Sequence, residues 1–203
     1  EHFNENGWRK FSPSHVNQIF GKLGFESEMS RYEVTYTGAH NLLIGNGLTP
    51  KDLLGAERDG IHTLEDETKN EYSQLALNMS HFFNEESMIA GNIYYKRSDR
   101  ATYNGDLNDD YCDSTRGDED ECSVESLAAY DADNDDTNLY EGVLNRTNTL
   151  QDAFGINLQT TFDQDWYDRR NQIIVGVSAE YSQIKFKQTE QEVKTLALNG
   201  FFG

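Results

Sequence analysis

The sequence has few cysteines, prolines and cationic residues, and it has no long apolar run. Its 203 residues include 2 cysteines and 2 prolines, and 17 lysine and arginine residues oppose 36 aspartate and glutamate residues, for a formal net charge of −19. Because binding to a phosphate backbone depends on Lys and Arg releasing counterions, this balance excludes nucleic acid as an expected partner. The longest apolar run is far shorter than the ~20 residues that a membrane-spanning helix requires.

Motifs of catalysis are absent as well. The sequence contains no G-x-S-x-G elbow, no H-E-x-x-H pair, no C-x-x-C motif and no glycine-rich phosphate loop. The 5 histidines are scattered, and carboxylate pairs are too numerous in so acidic a chain to single one out for glycoside hydrolysis. We therefore expect no enzymatic activity and no cofactor.

What the sequence does contain is alternation of apolar and polar residues, the period-2 pattern of a strand with two unlike faces. The clearest example sets Phe154, Ile156 and Leu158 on one face against Gly155 and Asn157 on the other. The 12% of aromatic residues exceeds what a disordered chain carries. The pattern predicts six strands, over 16–25, 31–39, 71–82, 88–103, 147–162 and 172–187.

The connections between these strands alternate in length. Segments 26–30, 83–87 and 163–171 are short polar turns, whereas 40–70 and 104–146 are long. Outer-membrane barrels have tight turns at the periplasmic end and long loops outside, and roughly ten tilted residues cross their ~25 Å apolar band. We therefore predict an all-β fold: an antiparallel up-and-down transmembrane β-barrel, present here as a fragment of about six strands with two long extracellular loops. We expect the chain to be an excerpt of a longer protein.

The second long connection is strongly acidic and contains both cysteines. Between Gly105 and Gly142 there are 14 Asp or Glu residues against the single Arg116, so this segment cannot form a core. We predict a disulfide between Cys112 and Cys122, because closing such a loop restrains it by about 2 to 3 kcal/mol in the chain-entropy model. Disulfides persist in oxidising compartments, which places this loop outside the cytoplasm.

Two further groups of residues are candidate sites. Alternate carboxylates at Asp131, Asp133 and Asp135 are typical of the start of a calcium loop, but the sixth and twelfth positions do not match, so a solvated acidic loop is the preferred interpretation. At the end of the fourth predicted strand, donors that could bind an anionic ligand precede the acidic loop, and ion pairing with nearby carboxylates is the alternative. These donors are Lys96, Arg97, Arg100 and Tyr103.

Three segments carry residues in an order that is typical of one protein family. The first contains Gly45-Asn46-Gly47, Pro50, Asp52-Leu53-Leu54, Arg58-Asp59, Ile61, Thr63, Asp66, Thr68 and Asn70; the second contains Gly7-Trp8-Arg9 and Phe11-Ser12-Pro13-Ser14; the third contains Gly91-Asn92, Tyr94-Tyr95, Arg97 and Asn104-Gly105-Asp106. Together they resemble the barrel portion of TonB-dependent outer-membrane receptors. The resemblance covers about residues 7 to 185.

The resemblance implies an architecture and a function. The family builds a 22-strand barrel around an N-terminal plug that contacts TonB, and it imports scarce ligands such as ferric siderophores. Residues 1–203 would then be part of such a barrel, without the plug and the remaining strands, and 104–146 would be its acidic extracellular loop. The implied location is the bacterial outer membrane, and the implied partners are its lipid and lipopolysaccharide, TonB through the plug, and a small-molecule ligand.

Two other functions fit the same strand pattern. A passive porin-type barrel shares the alternation and lacks the plug. A soluble secreted β-sandwich that binds glycans would instead turn its apolar face towards a second sheet. In either barrel, polar positions face a wet interior, and these include Gln74, Asn78, Asn92, Lys96, Asn157, Gln159 and Glu180.

Overall fold

The computed structural model describes residues 1–45, 47, 54–55, 57–61, 66–107, 142–193, 196–197 and 201–202. Its regular structure consists of β-strands, apart from Leu54 and Gly55, which are helical. Among the described residues no helix is long and apolar enough to cross a bilayer. The strands are β1 (His2–Glu5), β2 (Ser14–Glu26), β3 (Ser30–Ile44), β4 (Glu67–Asn84), β5 (Ser87–Leu107), β6 (Gly142–Trp166), β7 (Arg169–Val193), β8 (Leu196–Ala197) and β9 (Phe201–Phe202).

The first seven strands form one sheet with the simplest possible connectivity. Their order in space is their order in the chain, and every neighbouring pair is antiparallel. The short strands β8 and β9 pair only with each other. The seven-stranded sheet is open, with β1 at one edge and β7 at the other. The prediction of an all-β, up-and-down antiparallel arrangement is therefore confirmed.

All six predicted strands are present, but most are longer than the alternation indicated. Strands β6 and β7 each have 25 residues, and β5 has 21. Beyond the apolar stretch the strict alternation ends while the backbone pairing continues. The four-residue β1, with the sequence His-Phe-Asn-Glu, is too short for any period to be recognised.

The connections alternate in length as predicted. Residues 27–29, 85–86 and 167–168 close tight turns at one end of the sheet. Both Tyr167 and Asp168 have positive φ, 54° and 56°, which is the backbone twist that two-residue hairpin turns favour. Residues 6–13, 45–66 and 108–141 join strands at the opposite end. We call these the turn end and the loop end.

One register row crosses the sheet and serves as a reference level. Tyr36, Leu75, Tyr95, Phe154 and Tyr181 pair consecutively from β3 to β7, and we call them the aromatic row. The distance from this row to the residue that closes each hairpin is five residues in β3 (Tyr36 to Arg31), eight in β5 (Tyr95 to Ser87) and twelve in β7 (Tyr181 to Arg169). The turns are thus progressively staggered, and strands that tilt in a barrel require such a stagger.

The described part of the chain has no second layer against the sheet. Only three hydrophobic residues are buried in it, namely Ile61, Ala76 and Ala153. By contrast, Val175 and Val177 are 61% and 67% exposed. A water-soluble sheet buries one face against another layer, whereas no described residue of this chain covers the apolar surface of the sheet.

Candidate functional site

The strand register separates the side chains of the sheet into two chemically distinct faces. Directly paired residues of antiparallel strands point to the same side, so each row of partners belongs to one face. One side, which we call the apolar face, carries Leu23, Phe25, Val34, Leu75, Leu77, Ile93, Ile156, Leu158, Val175 and Val177. The other side, the polar face, carries Gln74, Asn78, Asn92, Lys96, Asn157, Gln159 and Glu180. The residues predicted to share a wet surface therefore do share one face.

The apolar face forms a band with a defined upper limit. On β7 it extends from Ile173 to Tyr181, nine positions, which corresponds to about 20 Å for a strand tilted near 40°. The aromatic row lies at its upper limit, and the next row of this face contains Ser73, Arg97, Asp152 and Gln183. The sequence apolar, then aromatic, then charged is typical of the interface between hydrocarbon and water.

The polar face carries a row of amide side chains. Asn78, Asn92, Asn157 and Ser178 occupy one register row, and Asn157 Nδ2 donates to Asn92 Oδ1 at 2.6 Å. They border a shallow groove of about 510 Å³. Amides both donate and accept hydrogen bonds without carrying charge, so this surface suits water or uncharged polar groups.

A charged cluster lies on the polar face, one row from the amides. The Tyr94 hydroxyl donates to the Glu180 carboxylate, and Lys96 Nζ lies 3.6 Å from Glu180 Oε1. Lys96 Nζ also lies 5.4 Å from the centre of the Tyr94 ring, within range of a cation–π contact. The ring of Tyr94 covers Gly155, which has no Cβ to obstruct it. The cluster thus presents an ammonium, a carboxylate and a phenol to whatever occupies this side of the sheet.

Replacing Gly155 with alanine is expected to move the Tyr94 ring, because a Cβ at this position would overlap the ring. The hydroxyl would then lose its contact with Glu180, at a small cost in stability because the atoms that the Cβ would meet are the far end of the Tyr94 side chain. A ¹⁹F label on Tyr94 would report the change as a shifted resonance. Gly176→Ala is the control, since the nearest atom to its Cβ is the Leu158 carbonyl oxygen at 3.4 Å. Equal shifts in both variants would refute the packing described here.

The four donors predicted to bind an anionic ligand do not form one cluster. Lys96 and Arg100 lie on the polar face, whereas Arg97 and Tyr103 lie on the apolar face beyond the aromatic row. Arg97 Nη1 is 3.8 Å from Asp152 Oδ1, which also accepts the Tyr95 hydroxyl at 2.5 Å. Pairing with carboxylates is therefore present at Lys96 and Arg97, and a ligand role for these residues stays a prediction.

The other predicted site residues fall outside the part of the chain that the structure describes. This holds for Cys112 and Cys122, and for the aspartates Asp131, Asp133 and Asp135. The disulfide and the calcium alternative both stay predictions. Among the described residues, no group of three His, Cys, Asp or Glu side chains is arranged to hold a metal ion.

Asp66, a buried carboxylate at the loop end, was not predicted from the sequence to be a site residue. Asp66 is 5% exposed, and its two oxygens accept hydrogen bonds from the backbone N–H groups of Gly47 and Gly105, at 3.0 and 3.1 Å. Its own carbonyl oxygen accepts from Gly45 N at 2.8 Å. Asp66 therefore fastens the connection between β3 and β4 to the end of β5.

The connection between β1 and β2 also contacts the one between β3 and β4. Arg9 Nη1 donates to the Gly47 carbonyl oxygen at 2.9 Å, and Lys10 N donates to the Asp59 carbonyl oxygen at 2.9 Å. The Lys10 side chain hydrogen-bonds to Glu57, and this bond raises the pKa of the Lys10 ammonium above its ordinary value. The two connections thus support each other above the sheet.

Neither a protein-family model nor a curated protein matches this chain. The features of the chain that bear on its function are the two faces of the sheet and the residues at its loop end.

Proposed function

We propose that this chain is part of an outer-membrane β-barrel, and that the whole protein is a TonB-dependent receptor that imports a scarce ligand such as a ferric siderophore. The observation that carries the membrane part is the uncovered apolar face. This face has a band of exposed hydrocarbon side chains about 20 Å high, which ends at a row of aromatic residues followed by a row with charged residues. A surface in contact with lipid has this order of residues. The choice of receptor family depends on the resemblance of the three sequence segments.

In this proposal the two faces have different environments. The apolar face contacts lipid, and the polar face, with its amide row and the Tyr94, Lys96 and Glu180 cluster, lines a wet interior. The turn end faces the periplasm and the loop end faces the outside. The partners are outer-membrane lipid and lipopolysaccharide, TonB acting through a plug, and a small-molecule ligand.

The open edges of the sheet are consistent with additional barrel strands. Strand β7 presents 25 residues of backbone whose outer side has no partner among the described strands. Long unpaired edges of this kind invite pairing with further strands, and a closed barrel removes such edges. A fragment expressed alone should therefore aggregate in the absence of detergent.

Energy-dependent uptake tests the receptor function. Cells that carry the intact protein as their only such receptor should accumulate radiolabelled iron from a panel of ferric siderophores, and a protonophore should abolish the uptake. A passive porin would admit small solutes regardless of the protonophore. Purification of the intact protein without detergent, as a soluble monomer, would contradict both barrel functions and favour the secreted glycan-binding sandwich.

A further inference from the structure

Three cationic side chains lie together on the apolar face, beyond the aromatic row towards the loop end. They are Arg146 on β6 and Lys185 and Lys187 on β7. Lys185 and Lys187 lie two positions apart along β7. Arg146 pairs with Thr189 and Lys187 pairs with Asn148, so Arg146 and Lys187 are diagonal neighbours across the strand pair. We call the three residues the cationic patch.

The patch lies in a chain with an excess of 19 negative charges. Several other cations of the described chain, including Lys22, Lys96 and Arg170, have a carboxylate oxygen within 4.0 Å. In the described part of the chain, no carboxylate forms an ion pair with Arg146, Lys185 or Lys187, whose side chains are all exposed. Cations about 7 Å apart repel one another, and an anion between them would remove that cost.

The shape of the surface provides room for such an anion. A concavity of about 390 Å³ is bordered by Glu67, Lys69, Tyr103, Arg146, Lys187 and Thr189, among other residues. The Arg146 guanidinium lies 4.8 Å from the centre of the Tyr103 ring, within range of a cation–π contact. Lys69 pairs with Glu67 at 2.5 Å, so the unpaired positive charge of this concavity belongs to Arg146 and Lys187.

The height of the patch identifies the source of the anion. Lys185, Lys187 and Arg146 lie four, six and eight residues beyond the aromatic row, or about 10, 15 and 20 Å above it for a tilted strand. They are on the same face as the apolar band below them. An anion that reaches this position on a lipid-facing surface is the headgroup of the lipid itself, whose acyl chains would lie against the band.

We propose that the cationic patch binds the phosphate groups of an outer-leaflet lipid headgroup. The inference rests on the proposed function, because it requires the apolar face to contact lipid. A guanidinium flanked by two ammonium groups matches phosphate, which Arg binds through two parallel hydrogen bonds and Lys as a point charge. The overall acidity of the protein would otherwise repel such a headgroup, so binding has to be local to this patch.

Binding of a defined lipid tests the proposal. The intact protein in non-ionic detergent is titrated with diphosphoryl lipid A, and the triple variant R146Q/K185Q/K187Q is compared with wild type. The affinity of the triple variant is expected to be at least tenfold lower, and its dependence on salt should be weaker. The single variant R146Q should show an intermediate loss, which keeps the test valid if the triple variant does not fold.

The control triple variant, K22Q/R31Q/R169Q, removes the same charge from the polar face and from a hairpin end. Its affinity for lipid A should equal that of wild type, and an equal loss in both triple variants would overturn the proposal. So would undiminished binding of a lipid A derivative without phosphate. If inorganic phosphate alone binds as tightly as the lipid, the site accepts a free anion and the lipid assignment is wrong.

Failure of this inference is distinguishable from failure of the proposed function. If the patch does not bind lipid but the sheet spans the membrane, Leu158 remains inaccessible to water-soluble reagents while both triple variants bind lipid A equally. If the sheet does not contact lipid at all, Leu158 is accessible to those reagents, and the proposed function fails together with the patch.

Discussion

Arginine in place of Val177 is expected to destabilise the membrane-inserted protein by about 2 to 4 kcal/mol, the cost of a cation at the midplane of a barrel's lipid face. Val177 lies midway between Tyr181 and Ile173, the two limits of the apolar band on β7, so it is at the centre of that band. The neighbouring Ser178 points to the polar face, and Ser178→Arg should change the free energy of unfolding by less than about 1 kcal/mol, as for a solvated surface substitution.

Reversible unfolding of the intact protein from lipid vesicles in denaturant would measure both variants. The two residues are adjacent, and both are exposed in the described sheet, so only the environment of the two faces distinguishes them. The account would be contradicted if both variants were as stable as wild type, because an exposed face in water tolerates arginine. It would also be contradicted if Ser178→Arg were the more harmful change.

Replacing Asp66 with alanine is expected to lower the free energy of local opening of the connection between β3 and β4 by about 2 to 4 kcal/mol. The carboxylate accepts two backbone N–H groups, and hydrogen bonds to a charged group contribute about 1.5 to 3 kcal/mol each. The exposed Gly47 N–H would bond to water instead, so most of the cost comes from the Gly105 bond. Gly105 N is buried, so it would lose an acceptor without gaining access to water. The effect should be confined to the loop end, since the tight turns at the opposite end do not contact Asp66.

Hydrogen exchange and limited proteolysis would detect this opening. The amide of Gly105 should exchange about 30-fold to 1,000-fold faster in Asp66→Ala, which corresponds to the same 2 to 4 kcal/mol. Trypsin should cleave more rapidly after Arg58, which lies in the same connection. Asp59→Ala is the control, because the side chain of Asp59 is exposed and the residue contributes its carbonyl oxygen to Lys10. Unchanged exchange at Gly105 would show that Asp66 does not fasten this segment.

The alternation of residues was sufficient to predict the sheet because its faces differ in chemistry. Hydrocarbon side chains alternate with amides, as at Ile156 and Asn157. Only one strand register then places all the hydrocarbon side chains on one face and all the amides on the other. The same argument fails beyond the aromatic row. From Gln188 to Glu192 the side chains of β7 are polar on both sides, so the end of the strand had no sequence signal.

The candidate sites were less predictable because they depend on contacts between distant segments. Lys96 and Arg97 are consecutive in sequence, and a strand necessarily points them in opposite directions, which divided the predicted group of donors. Asp66 contacts Gly105 across 39 residues of sequence, and one aspartate among many acidic residues carries no local mark of that role. The cationic patch likewise becomes visible only when the register brings Arg146 beside Lys187.

The central claim is that one face of the sheet contacts lipid and the other contacts water. Nitroxide labels at Leu158 and Gln159, on the intact protein reconstituted in lipid vesicles, test it directly through their collisions with oxygen and with a water-soluble nickel complex. The account predicts that the label at 158 collides with oxygen and is protected from nickel, and that the label at 159 is accessible to nickel. Protection of the label at 158 from both reagents would mean that a second layer of protein covers this face, and ready collision with nickel would mean that water does; either result would contradict the account.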